Sequence, residues 1–521
     1  MRRELKQPAE KEKMIYAHIE NLINYALANK LIDGRDSIWA RNALLEILNL
    51  PAPFAGKTAR GRAAAKTPQF PSEILADISF WAAENNLLSA ATATYREIFE
   101  TSLMAVFTRR PSEVQTQFFN IYKKSGPRKA TDWFYKYCRQ VYYVKADRAA
   151  KNIVWKTETG FGPLQLAINL AEPEKDPKEI ALQGKMPPAN GYPRCLLCAE
   201  NEGYAGRLSH PPSQNLRLLP LKLNGGDWYF QYSPYIHYNE HSIVLSAEHK
   251  PMKISGETFK ILLDFVQMFP HYFIGSDADL PLVGGPVLNH EHYQAGRHVL
   301  PIEKAGSVKN FFIKKFPKIS FDIIRWPMST LRLRGGKNGV AEAAVHVFET
   351  WRKYGDAKAG IVPHSGDGRH NAVTLIARFK NGKYEVDIIL RNNRATAVRP
   401  CGIFNTSPLH HNIKRENIGL LEAAGLAVLP GRLKNEITQI AALIQRGEVD
   451  KIKDLSSLAQ HYKWVKAFLP AYEKAGYKQS DVPAILAAEI GLAFSEILYD
   501  CGVFKHDAAG KQAFLRFINK L

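Results

Sequence analysis

The chain reads as an α+β protein: two α+β units with mixed or antiparallel sheets, flanked by helical N- and C-terminal regions. Three observations carry this reading. Apolar residues recur at helical spacing through much of residues 1–185, which read as a mainly helical region. From GKMPPANGYPRC onward, short strand-like runs alternate with turn signals, first over 186–310 and then, with a similar rhythm, over 311–435. Residues 436–521 return to helix.

Taken in order, Ile15, Ile19, Leu22, Ile23 and Ala26 form one helical face, and Asp33-Gly34 breaks the run. GKTARGRAAAKTPQFPS (56–72) reads as an exposed loop, and the Tyr-rich DWFYKYCRQVYYV as core and interface. WYFQYSP and HSIVLS read as strands. ISGETFKILLDFVQMF (254–269) reads as an amphipathic helix with Ser255 and Glu257 near its start. PLVGGPVLNHEHYQ reads as a glycine turn leading into a strand that bears histidines. AEAAVHVFETWRKYG reads as a helix. AVTLIARF and YEVDIILR form the clearest hairpin, because Asn381-Gly382 suits a two-residue type I′ turn. In SDVPAILAAEIGLAFSEILYDCG (480–502), Ser480 and Pro483 stand where a cap and a first-turn proline belong.

The formal charge is +20, which suits anionic substrates; no recognisable nucleic-acid module accompanies it, and nucleic acid is not the expected partner. Five cysteines suit a reducing compartment and no disulfide framework. The basic N-terminus lacks an apolar h-region, and no uninterrupted apolar run approaches the ~18–20 residues that span a bilayer. The expectation is a cytoplasmic protein without a membrane partner.

Two short stretches carry chemistry. Cys195-Leu-Leu-Cys198 has the gap that lets two thiolates reach one tetrahedral metal, but buried cysteines or a redox dithiol use the same spacing. Half a zinc site needs two more ligands, and His249 and His290 are the candidates. VLNHEHYQAGRH crowds His290, His292 and His298 together. On a strand, His290, His292 and Gln294 would share a side. One imidazole could then hold metal while its neighbour stays free to form a covalent intermediate, with the amide bonding phosphoryl oxygens. A metal-only cluster and a surface run without a role also fit that spacing.

The run His290-Glu-His292-Tyr-Gln294 resembles the active-site motif of galactose-1-phosphate uridylyltransferases, in the histidine-triad superfamily. The familiar motif has proline between the histidines; glutamate there, with NEGYAGR (201–207), FQYSPY (230–235), YNEHSIVLSAEH (238–249) and HHNIKRENIGLLEAAGLAVLPGRL (410–433), resembles the second, bacterial class. The resemblance implies two histidine-triad-like units and exchange of UMP between UDP-glucose and galactose 1-phosphate, in the Leloir pathway of galactose metabolism. It implies His292 as the nucleophile and Gln294 as its phosphate-steadying partner. It implies substrate contacts at Arg207, Asn215, Arg217, Asp277 and Gly285, with Asp277 standing where many relatives have asparagine. Structural zinc would fall to Cys195, Cys198, His249 and His290. Glu303 and the His410/His411 pair fall near a second metal site of some relatives at imperfect spacing, and relatives are commonly homodimers. Glu422 could reach the hexose, whereas His370-Asn371 reads as a turn.

Two competing readings remain at this point. A histidine-triad nucleotide hydrolase or phosphorylase would use the same nucleophile with water or inorganic phosphate as acceptor. A basic nucleic-acid-binding or scaffold protein would keep the fold without its activity.

Overall fold

The computed structural model describes residues 8–54, 70–170, 191–285 and 287–521. The basic group Lys57–Lys66, most of the expected loop 56–72 and the texture change near residue 185 lie outside them. The architecture is α+β. Contacts divide the chain into two compact units: Met1–Ala150, Pro173–Leu221 and Trp228–Ile236 form one, and Lys151–Glu172, Lys222–Asp227 and His237–Leu521 the other.

The first unit is mainly helical. Helices Pro8–Ala28 and Ser37–Ile47 are separated by a turn in which the Asp33 carboxylate accepts the Arg35 N–H, so the Asp-Gly break falls where the sequence puts it. Ile15, Ile19, Leu22, Ile23 and Ala26 are all buried. The long helix Pro111–Gln140 bends at Gly126 (φ 84°), just before Pro127, which cannot continue the hydrogen-bond ladder. Its second half puts Phe134 5.3 Å from Tyr232 and 6.2 Å from Phe230, so this aromatic stretch is core.

The second unit is built on a large sheet. Eight of its ten strands among the described residues lie wholly in this unit. Their order is Ser242–Ser246, His292–Gly296, Phe273–Ser276, Asn371–Lys380, Lys383–Asn392, Thr330–Gly335, Ser320–Ile324, Ser307–Phe311. The pairing of Leu375 with Ser276 joins the stretches before and after residue 310 into one sheet. Residue 310 lies within Ser307–Phe311, and residue 435 within helix Arg432–Gln445, so neither border read from texture falls in a loop. The expected hairpin forms, with Asn381 (φ 51°) and Gly382 (φ 74°) both left-handed as a type I′ turn requires.

Helix Gly256–Met268 starts with a capping box between Ser255 and Thr258, and Glu257 stands in its first turn as expected. At the start of helix Val482–Cys501 the cap position belongs to Asp481, without a side-chain bond; Ser480 lies in the preceding turn, and Pro483 is in the first turn as expected. By length and composition, Gln479–Cys501 is apolar enough to cross a membrane (mean hydropathy 1.6). Its Ile490, Phe494, Ile497 and Leu498 are core residues, packed with Trp326, Leu421 and Leu426. A smaller sheet adds Leu426–Leu429 in parallel to the hairpin Ile153–Thr159/Gly162–Ile168.

Candidate functional site

The strand His292–Gly296 has paired neighbours on both sides: Leu245 faces His292 across one edge, and Gly275 faces Gln294 across the other. Such a central strand gives its side chains little freedom. His292 is buried, and its Nδ1 lies 2.8 Å from the carbonyl oxygen of His290. A carbonyl can only accept, so Nδ1 carries the proton and Nε2 keeps its lone pair. Burial holds the imidazole below its ordinary pKa, and the neutral, nucleophilic form prevails near pH 7. Its backbone N–H meets Met252 Sδ at 3.2 Å.

Two residues along the same face, Gln294 Nε2 donates to Asp277 Oδ2 at 3.1 Å. Asp277 follows the strand Phe273–Ser276 and is buried; its Oδ1 accepts the backbone N–H of Leu420 at 2.7 Å. Burial raises its pKa, and the field of His292 and these two hydrogen bonds oppose the rise. A Cβ at Gly285 would lie 2.7 Å from Asp277 Oδ2, so no larger residue fits there without displacing the carboxylate. One at Gly419 would come within 3.0 Å of Asp277 and 3.3 Å of Glu422. Glu422 itself pairs with the buried Lys414 at 3.2 Å. The structure thus brings together His292, Gln294, Asp277 and Gly285.

Cys195 and Cys198 lie in the first unit; His249 and His290 lie in the second, their rings edge to face with centroids 5.2 Å apart, and thiols and imidazoles are the donor types zinc takes. The sulfurs are 3.5 Å apart, close to the roughly 3.8 Å that two tetrahedral Zn–S bonds of 2.3 Å impose. Burial, then the adjacent Cys195, pushes the Cys198 thiol up to about 12, so a dication is what would make this pair thiolate. His290 Nε2 donates to the Ser246 carbonyl at 2.9 Å, which leaves Nδ1 as the ligating nitrogen. The donor set fits zinc.

Arg207, Asn215 and Arg217 belong to the first unit, where each is held by local partners. Arg207 donates to the Tyr192 carbonyl (2.6 Å) and the Tyr204 hydroxyl (2.5 Å). Asn215 donates to the Val141 carbonyl (2.9 Å), and the buried Arg217 to the carbonyls of Arg109 (2.6 Å) and Leu216 (2.5 Å). Glu303 pairs with Lys380 at 2.7 Å, and His410 lies 4.0 Å from Asp500. His370 and Asn371 are structural: Asn371 donates to the Trp351 and Tyr354 carbonyls. Sequence reasoning missed Met252, Lys414 and the Leu420 N–H; the last meets Asp277 across 143 residues, a contact with no local signal.

Comparison with known proteins now bears on this arrangement. Residues 60–251 match the family described as galactose-1-phosphate uridyl transferase, N-terminal domain, and residues 265–466 its C-terminal domain. Galactose-1-phosphate uridylyltransferase of Halalkalibacterium halodurans is 46% identical over 97% of this chain and 99% of its own length. The Bacillus subtilis protein of that name is 44% identical over 97% and 98%. The crystal structure of yeast Ap4A phosphorylase Apa2 aligns over 65% of this chain and 92% of its own, at 11% identity and a TM-score of 0.32. With both family domains matched in order and relatives of this identity along nearly its whole length, the chain belongs to the galactose-1-phosphate uridylyltransferase family and is a transferase.

Proposed function

We propose that the protein exchanges UMP between UDP-glucose and galactose 1-phosphate by a ping-pong route through a uridylyl group on His292. The observation that carries this is the bond from His292 Nδ1 to the His290 carbonyl, which leaves Nε2 unprotonated in a buried site. Nε2 attacks the α-phosphorus; the bond from that phosphorus to the bridging oxygen breaks, and glucose 1-phosphate leaves with the electron pair. A phosphate oxygen of galactose 1-phosphate then attacks the same phosphorus and releases His292, giving UDP-galactose. Both leaving groups are phosphates, so little proton transfer is required.

The remaining residues then position and stabilise. The Gln294 amide, anchored by Asp277, stands beside the nucleophile to bond a phosphoryl oxygen. Gly285 keeps space above the Asp277 carboxylate. Arg207, Asn215 and Arg217 complete the proposed substrate contacts, by exchanging present partners or by shaping the loops that carry them. The zinc expected of Cys195, Cys198, His249 and His290 would fix the backbone whose His290 carbonyl orients His292. His292→Gln should lower exchange by ~10³-fold or more while the unfolding midpoint stays near that of the parent chain. A variant that keeps most of the exchange overturns the proposal, and UMP release that needs no acceptor indicates a hydrolase.

A further inference from the structure

A cavity of 690 Å³ lies in the second unit, and His292 is not among its lining residues. Arg297, His298 and Val299, which follow the histidine strand, form one wall. Phe273 at the start of its neighbour and Arg378 to Lys380 at the end of the next strand form another. Arg297 is five residues beyond His292, roughly 17 Å along an extended strand. The cavity therefore opens at the other end of the sheet from the proposed nucleophile.

Its walls are cationic. Lys156, Arg297, Lys304, Arg378 and Lys380 face only two carboxylates, Glu158 and Glu303. Glu303 is already paired with Lys380, and Arg297 with the buried Glu240. Lys156 and Lys304 are exposed at the rim and make no ion pair among the described residues. Arg378 is buried in the wall, where its Nη2 serves Asp387 (2.8 Å) and Glu385. Two rim lysines without ion pairs, at the mouth of a cavity whose own carboxylates are outnumbered by its cations, favour a bound anion. The volume exceeds that of a lone phosphate and falls within the ~300–1,000 Å³ of small-molecule sites. Phe379 keeps 37% of its surface exposed beside Lys380, a flat apolar face for a ring.

We infer that this cavity is a second ligand site, for a small phosphate ester carrying a ring: a sugar phosphate or a mononucleotide. The phosphate would lie against Lys156 and Lys304, with the ring toward Phe379. The site goes beyond the proposed transfer, which neither requires nor uses these residues.

Calorimetric titration of the full chain with glucose 1-phosphate, UMP and inorganic phosphate tests this, beside the paired variant Lys156→Glu/Lys304→Glu. At least one ester should bind the parent chain at a site with tenfold or greater preference over inorganic phosphate. The paired variant should weaken that binding at least tenfold and keep its unfolding midpoint. Lys156→Gln/Lys304→Gln repeats the measurement should the charge reversal disturb folding. Exchange activity, read separately on the same variants, keeps a failure of the transfer reading distinct from a failure here. Identical isotherms in parent and variants, or equal affinity for inorganic phosphate and both esters, overturn the assignment.

Discussion

His290, His292 and His298 stand within one short stretch, yet the structure gives them three different surroundings. His290 bonds the Ser246 carbonyl and stands beside His249; His292 bonds the His290 carbonyl; His298 donates from Nε2 to Gln165 at 2.9 Å and lines the cationic cavity. Spacing alone left the roles of the first two open, because it says nothing about which nitrogen a carbonyl will hold. That distinction came from geometry. Gly285 read as part of a glycine turn and, by resemblance, as a substrate contact; the structure adds the Asp277 carboxylate, which a methyl group there would meet at 2.7 Å. Gly285→Ala should therefore displace Asp277 and, through it, Gln294. The expected cost is ~1–3 kcal/mol in stability and about tenfold or more in exchange rate, read by urea unfolding and by assay. A neutral substitution would mean that the carboxylate does not need its present position.

At the scale of elements, local chemistry was read where it is local. The Asn381-Gly382 turn fixes its hairpin register because both residues adopt positive φ, and the Asp33-Gly34 break and the helix Gly256–Met268 follow from capping and periodicity. The reading missed what depends on distant partners: the Leu420 N–H on Asp277, and the joining of two strand-rich stretches into one sheet by Leu375 and Ser276. The Cys195–Cys198 turn is the element whose purpose is most directly testable. If zinc holds it, the purified protein should carry about one zinc per chain. Cys195→Ser should lose most of that metal and lower the unfolding midpoint, by elemental analysis and thermal unfolding. Full-length protein with intact cysteines and no bound metal, of unchanged stability after chelator treatment, would remove zinc from the account.

For the whole molecule, the charge of +20 has a local counterpart in the cationic cavity. Burial also sets the pH response. His18, His461 and His506 are each held below the ordinary value of 6.5, chiefly by desolvation. The unfolded chain therefore binds protons at these positions more readily than the fold. Their contribution to stability is complete above about pH 6.5 and is lost as pH falls from there toward the lowered folded-state values. The urea midpoint should be lower at pH 5.5 than at pH 7.5; equal midpoints would show that these rings are not buried in solution as they are here.

The transfer itself rests on one covalent bond, and the most direct measurement is intact mass. The protein is mixed with UDP-glucose without acceptor, digested at neutral pH, and then the experiment is repeated with galactose 1-phosphate added. The expected result is a single UMP on the peptide that contains VLNHEHYQAGR, at His292, persisting until acceptor is added and then leaving as UDP-galactose. An adduct on another residue, one lost at the same rate without acceptor, or exchange that proceeds with no adduct at all would contradict the account.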